Sequence, residues 1–380
     1  MACAGWLRQV GRESPSLPRR VAIKIEPAQI GHRVGNNKSM NMSSKTVAAA
    51  FVAILETSGA AYATEYGQTH VDLAYIDVLA GYNLPPGLYL RDDINVNISG
   101  RLNDQNGNRV RSVNLGALGS APFKYRSNSV ADVFSAIYVP GVTIPFLNAT
   151  LGMGVYGFYA GSRAEGQETV FGYASGSGED RRGLGDITFV PAFFQWTIPR
   201  AHMYAILSPF EFTAPTGQYN RTDPIGNNLG LNYWSYRPAL ELTYLNATGQ
   251  EMSANINFSV NSENTADSYQ SGDEFSVTYV VQQHLSPKLA LGAEGYFYDQ
   301  FTDDKLNGVV VNTVRSPSPF VPFDPLNQGP GNRGQVFGIG PTITYSPTSR
   351  ISTNFHWVHE VFSYDRRQGE AFWVRASYRF

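Results

Sequence analysis

The sequence predicts an all-β chain rolled into a transmembrane, antiparallel up-and-down β-barrel of about twelve strands. Three observations carry this: a two-residue apolar/polar period along most of the chain, connections that alternate long and short, and a last strand that ends on an aromatic residue.

The clearest period-2 stretch runs from Glu251 to Asn261. Met252, Ala254, Ile256, Phe258 and Val260 alternate with Ser253, Asn255, Asn257, Ser259 and Asn261. Successive strand side chains point to opposite faces, so this segment has one apolar and one polar face. Phe275, Val277, Tyr279 and Val281 repeat the pattern, as do Ile94, Val96 and Ile98. Strands are expected near 88–102, 126–139, 146–160, 186–197, 201–214, 231–245, 251–261, 273–284, 288–300, 334–345, 350–360 and 371–380. The long connections are 103–125, 161–185, 215–230, 262–272, 301–333 and 361–370. The short ones are 140–145, 198–200, 246–250, 285–287 and 346–349. Long external loops and short periplasmic turns belong to outer-membrane barrels. Period 2 alone would also fit a soluble sandwich; the sorted connections, the export signal and the C-terminus decide for the membrane. The apolar faces then meet outer-membrane lipid, and the Ser/Asn/Thr faces line a wet lumen. In the final strand Phe372, Val374, Ala376, Tyr378 and Phe380 share one face, and terminal Phe380 resembles the signal read by the outer-membrane assembly machinery.

Composition agrees. Charged residues make up only 16 % of the chain, against about 25 % in soluble domains. With 29 Lys and Arg against 31 Asp and Glu, no single-sign field exists, which argues against a nucleic-acid partner. No run of about 18 apolar residues is present, so the membrane is not crossed by a helix. The sole cysteine, Cys3, excludes an intramolecular disulfide.

Residues 40–63 carry the three parts of an export signal in order. Lys45 is the positive region, Thr46 to Leu55 the apolar region, and Ala61-Tyr62-Ala63 the cleavage site, with processing after Ala63. Residues 1–39 then read as an extension from an upstream start. The mature chain comprises a 64–86 segment, either a periplasmic tail or a plug in the lumen, and a barrel over 87–380. Tyr236 and Tyr244, about 20 Å apart along the membrane normal, and Trp196 and Tyr345, beside short turns, suit aromatic girdles. Pro191, Pro209, Pro238 and Pro341 fall inside expected strands and require bulges.

Other chemistries find little support. Gly152-Met153-Gly154-Val155-Tyr156-Gly157 has G-x-G-x-x-G spacing, but Phe158 and Tyr159 continue a strand where a nucleotide site needs a helix. The glycines are expected to leave room for neighbouring rings. His356 and His359 point to opposite faces of one strand and cannot chelate one ion together. No nucleophile elbow occurs, and neither a cofactor nor a metal is expected; an outer-membrane hydrolase assembled from distant strands stays open as a rival, as does a closed structural barrel. Arg101, Glu211, Arg237, Glu241, Glu294, Arg375 and Arg379 fall on the polar faces and are the candidate lumen-lining charges. They either set selectivity or brace the wall. Twelve tilted strands give a backbone diameter of roughly 24 Å, enough for a narrow pore.

Several segments, in order, carry a resemblance. They are Pro85-Pro86-Gly87-Leu88-Tyr89, Gly183-Leu184-Gly185-Asp186-Ile187, Pro215-Thr216-Gly217-Gln218-Tyr219 and Asn232-Tyr233-Trp234-Ser235-Tyr236-Arg237-Pro238. Asn261, Asn264, Thr265, Tyr269, Ser271 and Gly272 follow, then Gly295-Tyr296-Phe297-Tyr298-Asp299-Gln300. Together they resemble the outer-membrane protein family of the meta pathway of phenol degradation, over about Glu65 to Phe380. The resemblance implies an outer-membrane channel for passive uptake of small aromatic or hydrophobic compounds. It transfers no binding residues.

Overall fold

The computed structural model describes residues 68–380 apart from 72, 74–77, 115–118, 171–172, 222–227 and 312–328. The expected extension, the export signal and Ala63 lie outside the described residues.

Alternating side chains make each strand two-faced, and twelve such strands close into one barrel. They are β1 (Gly87–Leu102), β2 (Ser120–Val139), β3 (Ala149–Val170), β4 (Ile187–Ile198), β5 (Met203–Ala214), β6 (Ala239–Leu245), β7 (Gln250–Asn261), β8 (Glu274–Ser286), β9 (Leu289–Gln300), β10 (Gln335–Tyr345), β11 (Ile351–Tyr364) and β12 (Arg367–Arg379). Each pairs antiparallel with the next, and β12 pairs back on β1 from Tyr89↔Arg379 to Leu102↔Arg367. Closure leaves no row of unpaired backbone groups to face hydrocarbon.

The exposure pattern inverts that of a soluble sandwich. On β7, Met252, Phe258 and Val260 are 55, 47 and 51 % exposed, while Glu251, Ser253, Ser259 and Asn261 are buried. Apolar side chains point out and polar ones in, so the outer surface meets lipid and the chain is an outer-membrane barrel. Trp196 and Tyr345 lie beside the short turns as expected, Tyr345 half-exposed.

The connections depart from the expected sorting in two places. The 161–185 connection is mostly a β-hairpin arm, in which β3 extends to Val170 and pairs with Tyr173–Leu184. Between β11 and β12 the chain turns through Asp365 and Arg366 alone, with Asp365 at φ 48°. The period-2 pattern simply continues in both strands there, where polar residues suggested a loop. The 301–333 connection lies partly outside the described residues.

The prolines sit at faults in the ladder. The β4–β5 register shifts between Phe189 and Ala192 and again before Phe194, beside Pro191 and Pro209. Pro238 occupies the break between Ser235–Tyr236 and β6. The β10–β11 pairing lapses between Ile339 and Thr342, around Pro341. Each fault spares the ladder a missing N–H donor.

The interior is less uniformly polar than expected. One buried apolar cluster joins Val71, Val133, Tyr296, Tyr298, Val336 and Trp373. A second joins Val139, Val190, Phe193 and Ile206, with Leu84 and Tyr89 against it.

Candidate functional site

The lumen holds a piece of the chain itself. The described residues between 68 and 84 reach from the long-loop end, where His70 meets Asp186 just before β4, to the short-turn end, where Leu84 meets Gln195 near the close of β4. Outside a sheet, the segment's backbone groups need partners, and side chains of the wall supply them. Leu79 N donates to Glu251 Oε1 at 2.8 Å and Gly81 N to Thr243 Oγ1 at 3.0 Å. Leu84 N donates to Gln195 Oε1, whose Nε2 donates back to Leu84 O, both at 2.9 Å. Val71 joins the first apolar cluster and Leu84 packs on the second.

The outer anchor is a Ser/His/Asp set. His70 Nδ1 lies 2.6 Å from Ser235 Oγ, and Nε2 lies 2.8 Å from Asp186 Oδ2; all three residues are buried. Asn261 Nδ2 donates to Gly272 O at 2.9 Å, which orients the amide so that its Oδ1 accepts the Ser235 hydroxyl at 2.6 Å. The serine hydroxyl thus points to Asn261, and the His70 ring is held between the serine oxygen and Asp186, so the three residues tie the lumen segment to the wall. Asp186 also accepts from Gly217 N and Leu231 N, both at 2.7 Å. Gly217 and Gly230 come so close that a Cβ on Gly230 would lie 2.6 Å from the Gly217 carbonyl carbon, and one on Gly217 2.8 Å from Gly230 Cα. Four of the segments that carried the resemblance thus converge on His70, through Asp186, Gly217, Ser235 and Asn261. His70 itself had no signal in the sequence, because the segment that carries it shows no strand period.

Between the lower part of this segment and the wall lies a cavity of about 730 Å³ that reaches the short turns. One wall is apolar, with Ile137, Val190, Phe193 and Ile206. The other is polar, with Glu211, Glu241, Asn255 and Thr278. Of the seven candidate charges, Glu211, Arg237, Glu241 and Arg379 line this cavity. Glu211 accepts Tyr156 OH at 2.7 Å and lies 3.7 Å from Arg237 Nη2. Arg375 borders a smaller cavity of about 260 Å³ and makes a two-pronged pair with Asp93. Glu294 Oε2 lies 3.0 Å from His356 Nδ1, deep in the wall, with both residues at 1 % exposure or less. Arg101 borders neither cavity; it donates to Asn103 Oδ1 at 2.9 Å near the external end of β1. The candidate charges are therefore not one cluster.

His356 is turned inward and His359 outward, where it pairs with Glu370. Among the described residues no group of three or more potential ligands is placed to hold a metal. The glycine-rich stretch lies within β3, and a Cβ on Gly152 would sit 2.1 Å from the Phe193 ring. That glycine makes room for an aromatic ring.

Over residues 99–376 the sequence matches the family described as "Putative MetA-pathway of phenol degradation". The chain belongs to this family. No curated protein matches it. Among solved structures it is similar to an outer membrane channel from Pseudomonas putida F1, at 15 % identity and a TM-score of 0.57, over 80 % of this chain and all of that one. That likeness establishes the fold. A FadL homologue from Pseudomonas aeruginosa aligns at 8 % identity over 84 % of this chain and 98 % of that one, with a TM-score of 0.34.

Proposed function

We propose that this barrel is a passive channel through which small aromatic or other poorly soluble compounds cross the outer membrane. The observation that carries this is the two-walled cavity inside a closed sheet. Its volume of about 730 Å³ falls within the ordinary range for ligand pockets. The apolar part of its lining receives a ring while the adjoining polar part receives its polar substituents. Membership of a family named for phenol degradation supports that substrate class.

Within this reading, residues 68–86 are the plug, and movement of the segment sets the width of the path. Its lower fixings, at Leu79, Gly81 and Leu84, are hydrogen bonds between wall side chains and backbone groups, each a modest net contribution of about 1 kcal/mol. Residues 40–63 are the export signal, and Phe380, 62 % exposed at the rim, is the mark read by the assembly machinery. We read no hydrolase in the Ser235–His70–Asp186 set, since the serine proton is committed to Asn261. Uptake by proteoliposomes of the neutral probe 4-hydroxybenzamide tests the channel. Entry above the rate of protein-free vesicles is expected; equal rates would defeat the reading.

A further inference from the structure

The short-turn end of the cavity carries an unbalanced charge. Its described lining includes five cationic side chains and two carboxylates. The carboxylates, Glu211 and Glu241, lie on β5 and β6, and Glu211 faces Arg237 and Tyr156. The other four cations gather toward the mouth. Lys288 and Arg350 sit in two of the short turns, Arg379 near the end of β12, and Arg91 one inward step above Tyr89 on β1. Neighbouring carboxylates are engaged or turned away. Asp93 takes both hydrogen bonds of Arg375, Glu251 takes His284, Gln282 and Leu79 N, and Asp92 faces outward, beside Asp132.

We propose that this cationic collar makes the passage selective for anions, so that its preferred cargo is an aromatic ring bearing a carboxylate. The proposal rests on the channel reading and adds the sign of the cargo. A narrow opening in a low-dielectric wall focuses the field of the groups around it and concentrates counter-ions there. Guanidinium groups match a carboxylate's two oxygens in geometry as well as charge. The apolar wall of Ile137, Val190, Phe193 and Ile206 lies in the same cavity to receive the ring. A ring bearing an ammonium would meet the same apolar wall but be repelled at the collar.

The test compares three probes of one shape in proteoliposomes at neutral pH: 4-hydroxybenzoate, neutral 4-hydroxybenzamide and cationic 4-hydroxybenzylamine. The wild-type chain should admit the anion faster than the cation by roughly threefold or more. Lys288→Glu with Arg350→Glu should bring that ratio to one or below. Lys288→Gln with Arg350→Gln should lie between. Both pairs sit in turns, and a heat-dependent gel shift reports whether each variant is folded. Equal wild-type rates for anion and cation, a faster cation, or a ratio that survives both folded variants would overturn the collar while leaving the channel intact. If the variants fail to fold, the wild-type ratio alone decides. Entry of none of the three above protein-free vesicles would defeat the channel reading, and the collar with it.

Discussion

Arg375 of the last strand donates from Nε to Asp93 Oδ1 at 2.5 Å and from Nη2 to Asp93 Oδ2 at 3.1 Å, across the seam where β12 meets β1. Asp93 pairs with Arg375 in the register of that seam, and both side chains are at most 4 % exposed. The geometry joins the two ends of the barrel sequence by a planar, two-bond fork. Removing one partner leaves the other charge buried and uncompensated, which costs about 3–5 kcal/mol. Arg375→Ala should therefore lower the denaturant midpoint of the gel-shift transition markedly. Asp93→Leu with Arg375→Met should recover most of that loss, because the pair vanishes together. A single variant as stable as wild type would show that the seam does not depend on this pair.

The His70 anchor makes a separate prediction. His70→Ala removes the two side-chain hydrogen bonds that His70 makes at the outer end of the lumen segment, at about 1–3 kcal/mol for the buried partners left behind. Hydrogen exchange should accelerate at backbone amides from residue 70 onward while the strands stay protected, and 4-hydroxybenzamide uptake should rise. Unchanged exchange in the segment would mean that the lower contacts at Leu79, Gly81 and Leu84 suffice to hold it.

If Ser235 were a nucleophile, a fluorophosphonate probe would label it. The hydrogen-bond directions predict no labelling of the folded barrel, because the hydroxyl donates to Asn261 Oδ1 and the residue is 1 % exposed. Labelling lost in Ser235→Ala and in His70→Ala would establish an esterase-like site instead.

Much of the barrel was legible because lipid and lumen impose opposite chemistries on alternate residues. On β7 the polar members Ser253, Asn257 and Ser259 are the buried ones. The strand count followed from that period. The hairpin arm at the outer end of β3 was not legible, since Arg163, Glu165 and Asp180 above the apolar belt read as loop while the ladder runs on. The Asp365–Arg366 turn was hidden for the same reason. The lumen segment was the least legible part. Its fixings join residues more than a hundred positions apart, such as His70 with Ser235 and Leu79 with Glu251, and no local pattern encodes them. The family segments marked the partners, Asp186, Gly217, Ser235 and Asn261, without disclosing the residue they surround. Of the candidate charges, position along an inward face was readable, but depth was not; that is why Arg101 and Glu294 lie apart from the cavity.

Gly152 tests the packing of the cavity wall. A Cβ there would meet the Phe193 ring at 2.1 Å, within a strand pairing that already shifts between Gly152 and Gly154. Gly152→Val should destabilise the barrel by about 1–3 kcal/mol through overpacking. Phe193→Ala in the same chain should relieve the clash and restore much of the folded yield. A Gly152→Val chain with wild-type stability would contradict the wall packing.

The central claim is that small solutes cross the membrane through the lumen of this barrel. Single-channel current in planar bilayers tests it most directly, with the mature chain compared against one lacking residues 68–84. Small conductance steps from the mature chain and larger ones from the shortened chain are the predicted result. Silent bilayers from both, with folding confirmed by gel shift, would contradict it.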